Sequence, residues 1–320
     1  MRVRGVSEGL TSVAERRERV TKRLVAGIDF GGTKIRTAIV DEVGNLVGEV
    51  AEEATGATRR PEQIADTMAA TVRSAVRSAH LDVRDLEGVG VGSPGPLDLT
   101  TGTLLSPPNL PTMWGYPLSA ELRARLGVPV RVNNDGNCFA LGEAVFGSGR
   151  DARIVVGVTL GTGFGCGIVV ERKIFEGATG TAAEVWCSPY REATFEEYGS
   201  ARGLVRCYRR ISGFEAEGQE IFRRAQAGET AAVEAWREYG THLGIILSYL
   251  VNILDPDAIV VGGSVAAGWG FFADPALRSL RANVNPRPRE HVRLVKASLG
   301  DLAGVLGAAA LFLADPATAA

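Results

Sequence analysis

Gly27-Ile28-Asp29-Phe30-Gly31-Gly32-Thr33-Lys34, followed by Ile35-Arg36-Thr37-Ala38-Ile39-Val40, is the stretch whose reading decides the fold. A P-loop needs Gly-x-x-x-x-Gly-Lys-Ser/Thr running into a helix. Gly27 and Gly32 have the right spacing, but Thr33 precedes Lys34, and the residues beyond are β-branched and alternate in polarity. That pattern is a second strand, so Gly31 and Gly32 lie in a hairpin turn. Such a turn still offers bare backbone N–H groups to a phosphate. Asp29, at the end of the first strand, is a candidate Mg²⁺ ligand, directly or through water. Alone, the segment reads equally well as an ordinary glycine hairpin with an exposed aspartate.

A second stretch, Val132-Asn133-Asn134-Asp135-Gly136-Asn137, puts a carboxylate beside two amides just after an apolar run. A carboxylate that accepts a hydroxyl proton and a turn that holds metal-bound phosphates are the two parts that phosphoryl transfer to an alcohol needs. The competing reading of Asp135 is a helix N-cap, because Cys138–Ala144 looks helical. Farther on, Val158-Thr159-Leu160-Gly161-Thr162-Gly163-Phe164 repeats the layout of strand, glycine turn and strand. This weak internal repeat predicts two related α/β lobes, each offering a phosphate-contacting turn. Gly90-Val91-Gly92-Ser93-Pro94-Gly95 matches a dinucleotide fingerprint by spacing, but Pro94, Pro96 and a Pro- and Asn-rich loop follow where a helix is required. A rigid substrate-facing loop is the better reading.

Strand-like runs lie at Leu24–Asp29, Ile35–Val40, Asn45–Ala51, Gly88–Gly92, Val128–Val132, Ile154–Thr159, Gly167–Val170 and Ala258–Val261. Helical patterns cover Pro61–Ala79, Pro117–Leu126, Thr230–Leu254 and Leu302–Leu313. The mixture predicts an α/β protein with more than one sheet. The 320 residues suffice for one large or two medium domains. A net charge of −2 argues against a nucleic-acid or membrane-surface partner. Four scattered cysteines suggest reduced thiols in a cytoplasmic protein, and three isolated histidines do not suggest zinc. Residues 1–23 are polar and read as a flexible or marginally helical extension.

With these residues in hand, the chain resembles the ROK sugar kinases, which include bacterial glucokinases and amino-sugar kinases. The resemblance runs from about Leu24 to Leu313. It rests on the joint order of Asp29-Phe30-Gly31-Gly32-Thr33-Lys34, Ser93-Pro94-Gly95-Pro96, Asn109, Asn134-Asp135-Gly136-Asn137, Gly161-Thr162-Gly163, Glu184, Glu196 to Ser200 and Val261-Gly262-Gly263. It implies an actin-like (RNase H-like) two-lobe ATPase fold around a central cleft. The lobes would be residues 24–133 plus 302–320 (small) and 134–301 (large). ATP phosphates would meet Gly31, Gly32, Thr33 and Lys34 and, across the cleft, Gly161, Thr162 and Gly163, while Gly262 and Gly263 would pack near the adenosine. Asn109, Asn134, Asp135, Glu184 and Glu196 would hydrogen-bond sugar hydroxyls, with Asp135 as the catalytic base. The family also suggests a homodimer.

The family's zinc segment is missing. Cys187 stands where relatives carry a histidine that ligates zinc and touches sugar, and only Ser188 to Thr194 separate it from Phe195. The expectation is therefore no structural zinc, with Trp186 and Tyr190 packing where the metal would have organised the loop. Cys187 reads either as a small buried hydrophobe or as a weak sugar contact. The implied reaction is ATP- and Mg-dependent phosphorylation of a hexose, with the 6-hydroxyl of glucose as default. Fructose, mannose, allose and amino sugars remain open as acceptors, and polyphosphate as donor. Two other classes compete. A sugar-responsive sensor of the repressor type would need a helix-turn-helix segment, which residues 1–23 do not contain. A sugar-independent actin-like ATPase would not need the amide and carboxylate cluster.

Overall fold

The computed structural model describes residues 23–314. The N-terminal extension up to residue 22, and residues 315–320 of the expected small lobe, lie outside the described residues. The first half of the chain runs β1 (Val25–Phe30), β2 (Lys34–Val40), β3 (Leu46–Ala54), α1 (Pro61–Ser78), β4 (Gly88–Ser93), a short ribbon of β5 (Leu97–Asp98) and β6 (Thr103–Leu104), α2 (Leu118–Leu126), β7 (Val130–Asn134) and α3 (Asp135–Val145). The second half runs β8 (Ile154–Leu160), β9 (Phe164–Val170), β10 (Lys173–Ile174), a ribbon of β11 (Pro189–Tyr190) and β12 (Ala193–Thr194), α4 (Phe195–Gly199), α5 (Ala201–Ser212), α6 (Gly218–Gln226), α7 (Thr230–Leu254), β13 (Ala258–Gly262), α8 (Trp269–Ala282), α9 (Pro286–His291), β14 (Arg293–Lys296) and α10 (Ala303–Leu313).

Each half builds a five-stranded sheet, ordered β3-β2-β1-β4-β7 and β10-β9-β8-β13-β14. In both, an antiparallel meander leads into two parallel strands. The repeat legible in the glycine turns therefore extends to whole sheets, and the arrangement is the actin-like one. Register makes the correspondence residue by residue. Asp29 stands opposite Gly92 as Thr159 stands opposite Gly262.

Apolar side chains at helical spacing on α1 (Ile64, Met68, Val72) pack on one face of the first sheet. Trp236, Tyr239 and Leu243 of α7 do the same for the second sheet. Between the sheets the helices exchange places: α3 lies on β8 and β9, whereas α10 lies on β1 and β4. That exchange requires backbone-to-backbone approach. A methyl group at Gly90 would lie 1.8 Å from the Ala308 carbonyl, and one at Gly27 would lie 2.0 Å from that of Val305. Only glycine fits there.

Most expected elements stand within one or two residues of their predicted ends. The third strand reaches Ala54 instead of Ala51, β9 begins at Phe164 instead of Gly167, and the fifth core strand covers Val130–Asn134 instead of Val128–Val132. The last shift follows from Pro129, whose missing N–H cannot join a ladder. It carries Asn133 and Asn134 onto the strand itself.

Candidate active site

The strand register of the first sheet aligns the site. Asp29 of β1 pairs with Gly92 of β4, and Gly92 pairs with Asn133 of β7; one step on, Ser93 pairs with Asn134. With strands about 4.8 Å apart, Asp29 and Asn133 stand at carboxyl ends of parallel strands, about 10 Å from each other. This is where α/β sheets place ligands.

Asp135 is the first residue of α3, and the helix is capped by its neighbour: Asn134 Oδ1 accepts the Gly136 N–H at 2.8 Å. The capping role that Asp135 might have filled is thus taken by Asn134. Asp135 Oδ1 also accepts from the Gly136 N–H, at 2.8 Å. Enclosure by protein pushes the Asp135 carboxyl up to about 6, and the charges of Asp29 and Glu184 add to the effect. Solvent still reaches Asp135 through the cleft, so screening trims the energy behind that shift. Asn133, behind it, is held on three sides. Its Oδ1 accepts from the Asn134 N–H (2.8 Å) and from Asn137 Nδ2 (2.9 Å), and its Nδ2 donates to Glu176 Oε1 (3.1 Å).

The Asp29 carboxyl is half-buried, and burial raises its pKa against the pull of Arg36 and Lys34. No hydrogen bond from the described residues reaches its oxygens. It abuts the first turn of α10, where a Cβ on Gly304 would lie 2.6 Å from Asp29 Cγ. A carboxylate with free oxygens at this place fits a hard, oxygen-seeking cation such as Mg²⁺.

The first glycine turn is closed by Gly31 N–H donating to Lys34 O at 3.0 Å. Buried Thr55 clamps it from behind: its hydroxyl donates to Gly31 O (2.6 Å) and its N–H to Thr33 O (3.0 Å). Neither Gly31 nor Gly32 has positive φ. Exposed Asn109 lies close over Gly32, its Cβ 3.3 Å from where an added methyl would stand. Lys34 faces solvent and pairs with Glu52 at 3.5 Å.

In the second turn, Gly161 N–H donates to Gly163 O at 3.1 Å, and Gly161 O accepts from Ala201 N–H at 2.9 Å, which fastens the turn to the start of α5. Gly263, with φ +82°, presses on the end of β8: a Cβ there would lie 2.4 Å from Leu160 O. Beside this turn opens a cavity of about 200 Å³, lined by Thr162, Leu204, Phe222, Trp236, Ser264 and Gly268 among others. It is largely apolar and flanks the turn.

Of the remaining predicted site residues, Glu184 is exposed, accepts from Trp186 Nε1 at 2.7 Å, and is near enough to Asp135 to raise its pKa. Glu196 lies against the second glycine turn. Its Oε2 accepts the Phe164 N–H at 3.2 Å and its Oε1 faces Arg202 at 3.4 Å, so it braces the second glycine turn. Cys187 is exposed, with Sγ 3.7 Å from Glu184 O, which rules out the buried reading. Tyr190 packs as expected, edge-on to Tyr198, whereas Trp186 stays 45% exposed because its indole turns outward to Glu184. Sequence reading missed Thr55, Glu176 and Gly304. Only the last carried a signal, one of two glycines in an otherwise apolar helix.

The chain matches the ROK family over residues 25–315. It is 33% identical over 319 residues to a glucokinase of Streptomyces coelicolor, covering 90% of this chain and 97% of that one. Among solved structures, a ROK hexokinase from Thermus thermophilus superposes with a TM-score of 0.78 at 29% identity, over 90% of this chain and 97% of that chain. A ROK family glucokinase from Streptomyces griseus, solved with glucose and AMPPNP, gives 0.74 at 33% identity, over 90% and 98%. A match that spans both sheets and both glycine turns leaves one conclusion: this chain belongs to the ROK family.

Proposed function

We propose that the protein is an ATP-dependent hexose kinase that transfers the γ-phosphoryl group to a sugar hydroxyl, with the 6-hydroxyl of glucose as first candidate. The observation that carries this reading is Asp135: a cleft carboxylate with its pKa raised to about 6, at a helix start, within the field of Asp29. A base poised just below neutral pH is ionised in the cell yet basic enough to take a proton. Glucokinases and hexokinases among the relatives support the reaction class. The Streptomyces griseus relative's AMPPNP supports ATP as donor.

In the reaction, Asp135 accepts the hydroxyl proton as the sugar oxygen attacks the γ-phosphorus; the new O–P bond forms as the bond to the bridging β–γ oxygen breaks, and ADP leaves. Asn134 and Glu184 orient the sugar beside Asp135, and Asn109 meets it from the side of the first turn. The turns Gly31 to Lys34 and Gly161 to Gly163 face the phosphates from opposite lobes, the small one being 24–133 plus 302–320 and the large one 134–301, with the Gly31 and Gly161 N–H groups closing the turns and the N–H groups at their tips left for phosphate. The cavity beside Thr162 takes the adenosine; Ser264 in its lining directly follows Gly262 and Gly263 in the chain. Asp29 would hold Mg²⁺, which neutralises phosphate charge when bound. Glu196 serves the nucleotide turn, and its expected sugar contact is not part of this reading. We take the protein to work as a cytoplasmic homodimer; no described helix is long and apolar enough to cross a membrane.

Exposed Cys187, next to Glu184 and Trp186, favours keeping fructose, mannose, allose and glucosamine-type acceptors beside glucose. The test is Mg-ATP-dependent ADP release across a panel of hexoses and amino sugars. Stimulation by one sugar identifies the acceptor. ADP release that no sugar stimulates would overturn the reading in favour of a bare ATPase, and ATP binding with no release would favour a sensor.

A further inference from the structure

Away from the cleft, a cavity of about 630 Å³ opens over Tyr198 and His242, rimmed by Arg191, Arg206, Arg209 and Arg210. Two carboxylates, Glu192 and Glu238, share its lining, so four arginines less two glutamates leave two positive charges in surplus. Glu215, outside the lining, pairs with Arg209 at 2.8 Å and reduces that surplus to one. The arginines are not a loose surface scatter. Arg206 bonds Glu192 and lies over the Tyr198 ring at 4.7 Å, and Arg210 grips Glu238 with a two-pronged contact.

Arg191 faces the Tyr190 hydroxyl and His242. Among the described residues no carboxylate pairs with it. It occupies the tight turn between β11 and β12 with φ +53°, a conformation that hairpins normally give to glycine. A bulky cation in a glycine position directs a guanidinium to this rim at a backbone cost of about 1 kcal/mol. A cation-binding reading has one observation behind it, since ligand atoms of Cys207, Glu238 and His242 lie within 4.8 Å of one another. Charge decides against it. Arg210 already occupies both Glu238 oxygens, and a divalent ion would face a ring of guanidinium groups.

We propose that this cavity binds a phosphate-bearing small metabolite, at a site separate from the cleft. Its size suits a sugar phosphate, and arginine forks are the groups that best match phosphate oxygens. The site also has a route to the cleft. Arg191 follows Cys187 by four residues, and its turn leads into α4, which carries Glu196 and hence contacts the second glycine turn. An anion bridging Arg191 to Arg206 would tie that hairpin to α5. The binding claim itself does not depend on the kinase reading.

The experiment is calorimetric titration of inorganic phosphate and of glucose 6-phosphate into the full chain, as wild type, Arg191→Gly and Arg191→Lys. Glycine relieves the left-handed backbone, so Arg191→Gly folds at least as well as wild type. It should nonetheless bind phosphate about tenfold more weakly or worse, with Arg191→Lys in between. For the part of the binding that Arg191→Gly weakens, tighter binding of glucose 6-phosphate than of phosphate names an organic ester as the occupant, and the reverse names the free anion. Equal affinity in wild type and Arg191→Gly, or no heat from wild type at millimolar phosphate, overturns the proposal. So does Zn²⁺ binding that Cys207→Ser abolishes and Arg191→Gly leaves untouched.

Discussion

Replacing Asp135 with asparagine should make the protein slower and more stable at once, and pH separates the two effects. A carboxyl whose pKa is higher folded than unfolded carries no penalty while protonated in both states. Its favourable balance is lost as pH rises through the folded value, here about 6 against an ordinary 3.8. Two units correspond to about 3 kcal/mol for a sealed group. Asp135 is open to the cleft, and screening by that water reduces the figure to about 1 kcal/mol. Asparagine retains an oxygen for the Gly136 N–H and never ionises. Denaturant melts of Asp135→Asn and wild type should therefore nearly coincide at about pH 3, below the unfolded value, and differ by about 1 kcal/mol, variant more stable, at about pH 8. Turnover should fall about 10²–10⁴-fold at neutral pH, while wild-type kcat/KM should drop about tenfold per pH unit below 6. Substantial turnover by the variant, or a flat wild-type profile between about pH 5 and 8, would refute Asp135 as the base. A stability difference that does not grow with pH would refute the enclosure argument.

Two further substitutions test where the structure puts its parts. Glu196→Gln loses a charge-assisted contact to the Phe164 N–H, so the KM for ATP should rise several-fold with the sugar KM unchanged; a change confined to the sugar would return Glu196 to the acceptor side. Gly304→Ala adds a good helix former yet places a methyl 2.6 Å from Asp29 Cγ, so kcat should fall about tenfold or more without loss of thermal stability; a fall in both together would mean the helix, not Asp29, had moved.

The division into two sheets was legible because strands and glycine turns are local: Ile35–Val40 alternates over a period of two, and Gly161-Thr162-Gly163 repeats the earlier turn. Five helices, Phe195–Gly199, Ala201–Ser212, Gly218–Gln226, Trp269–Ala282 and Pro286–His291, were not anticipated. Trp269–Ala282 contains Pro275, which reads as a breaker. Asp135 and Asn134 announced themselves by chemistry and adjacency. The contact of Glu196 with the Phe164 N–H did not, because 32 residues separate the two and no pattern within either segment encodes it. Thr55 was invisible for the same reason: it clamps Gly31 across 24 residues.

The exchange of α3 and α10 between sheets bears on how the protein is made. A ribosome delivers β1, β2, β3, β4 and β7 long before residues 303–313, yet the face of β1 and β4 around Gly27 and Gly90 is covered by those late residues. The first sheet must wait, with apolar strands uncovered, until synthesis has passed the whole second half. Neither half can then mature as an independent unit, and the polypeptide commits to its native state in one late step. The nascent chain's exposed interval, rather than the finished enzyme's stability, sets its demand for chaperones.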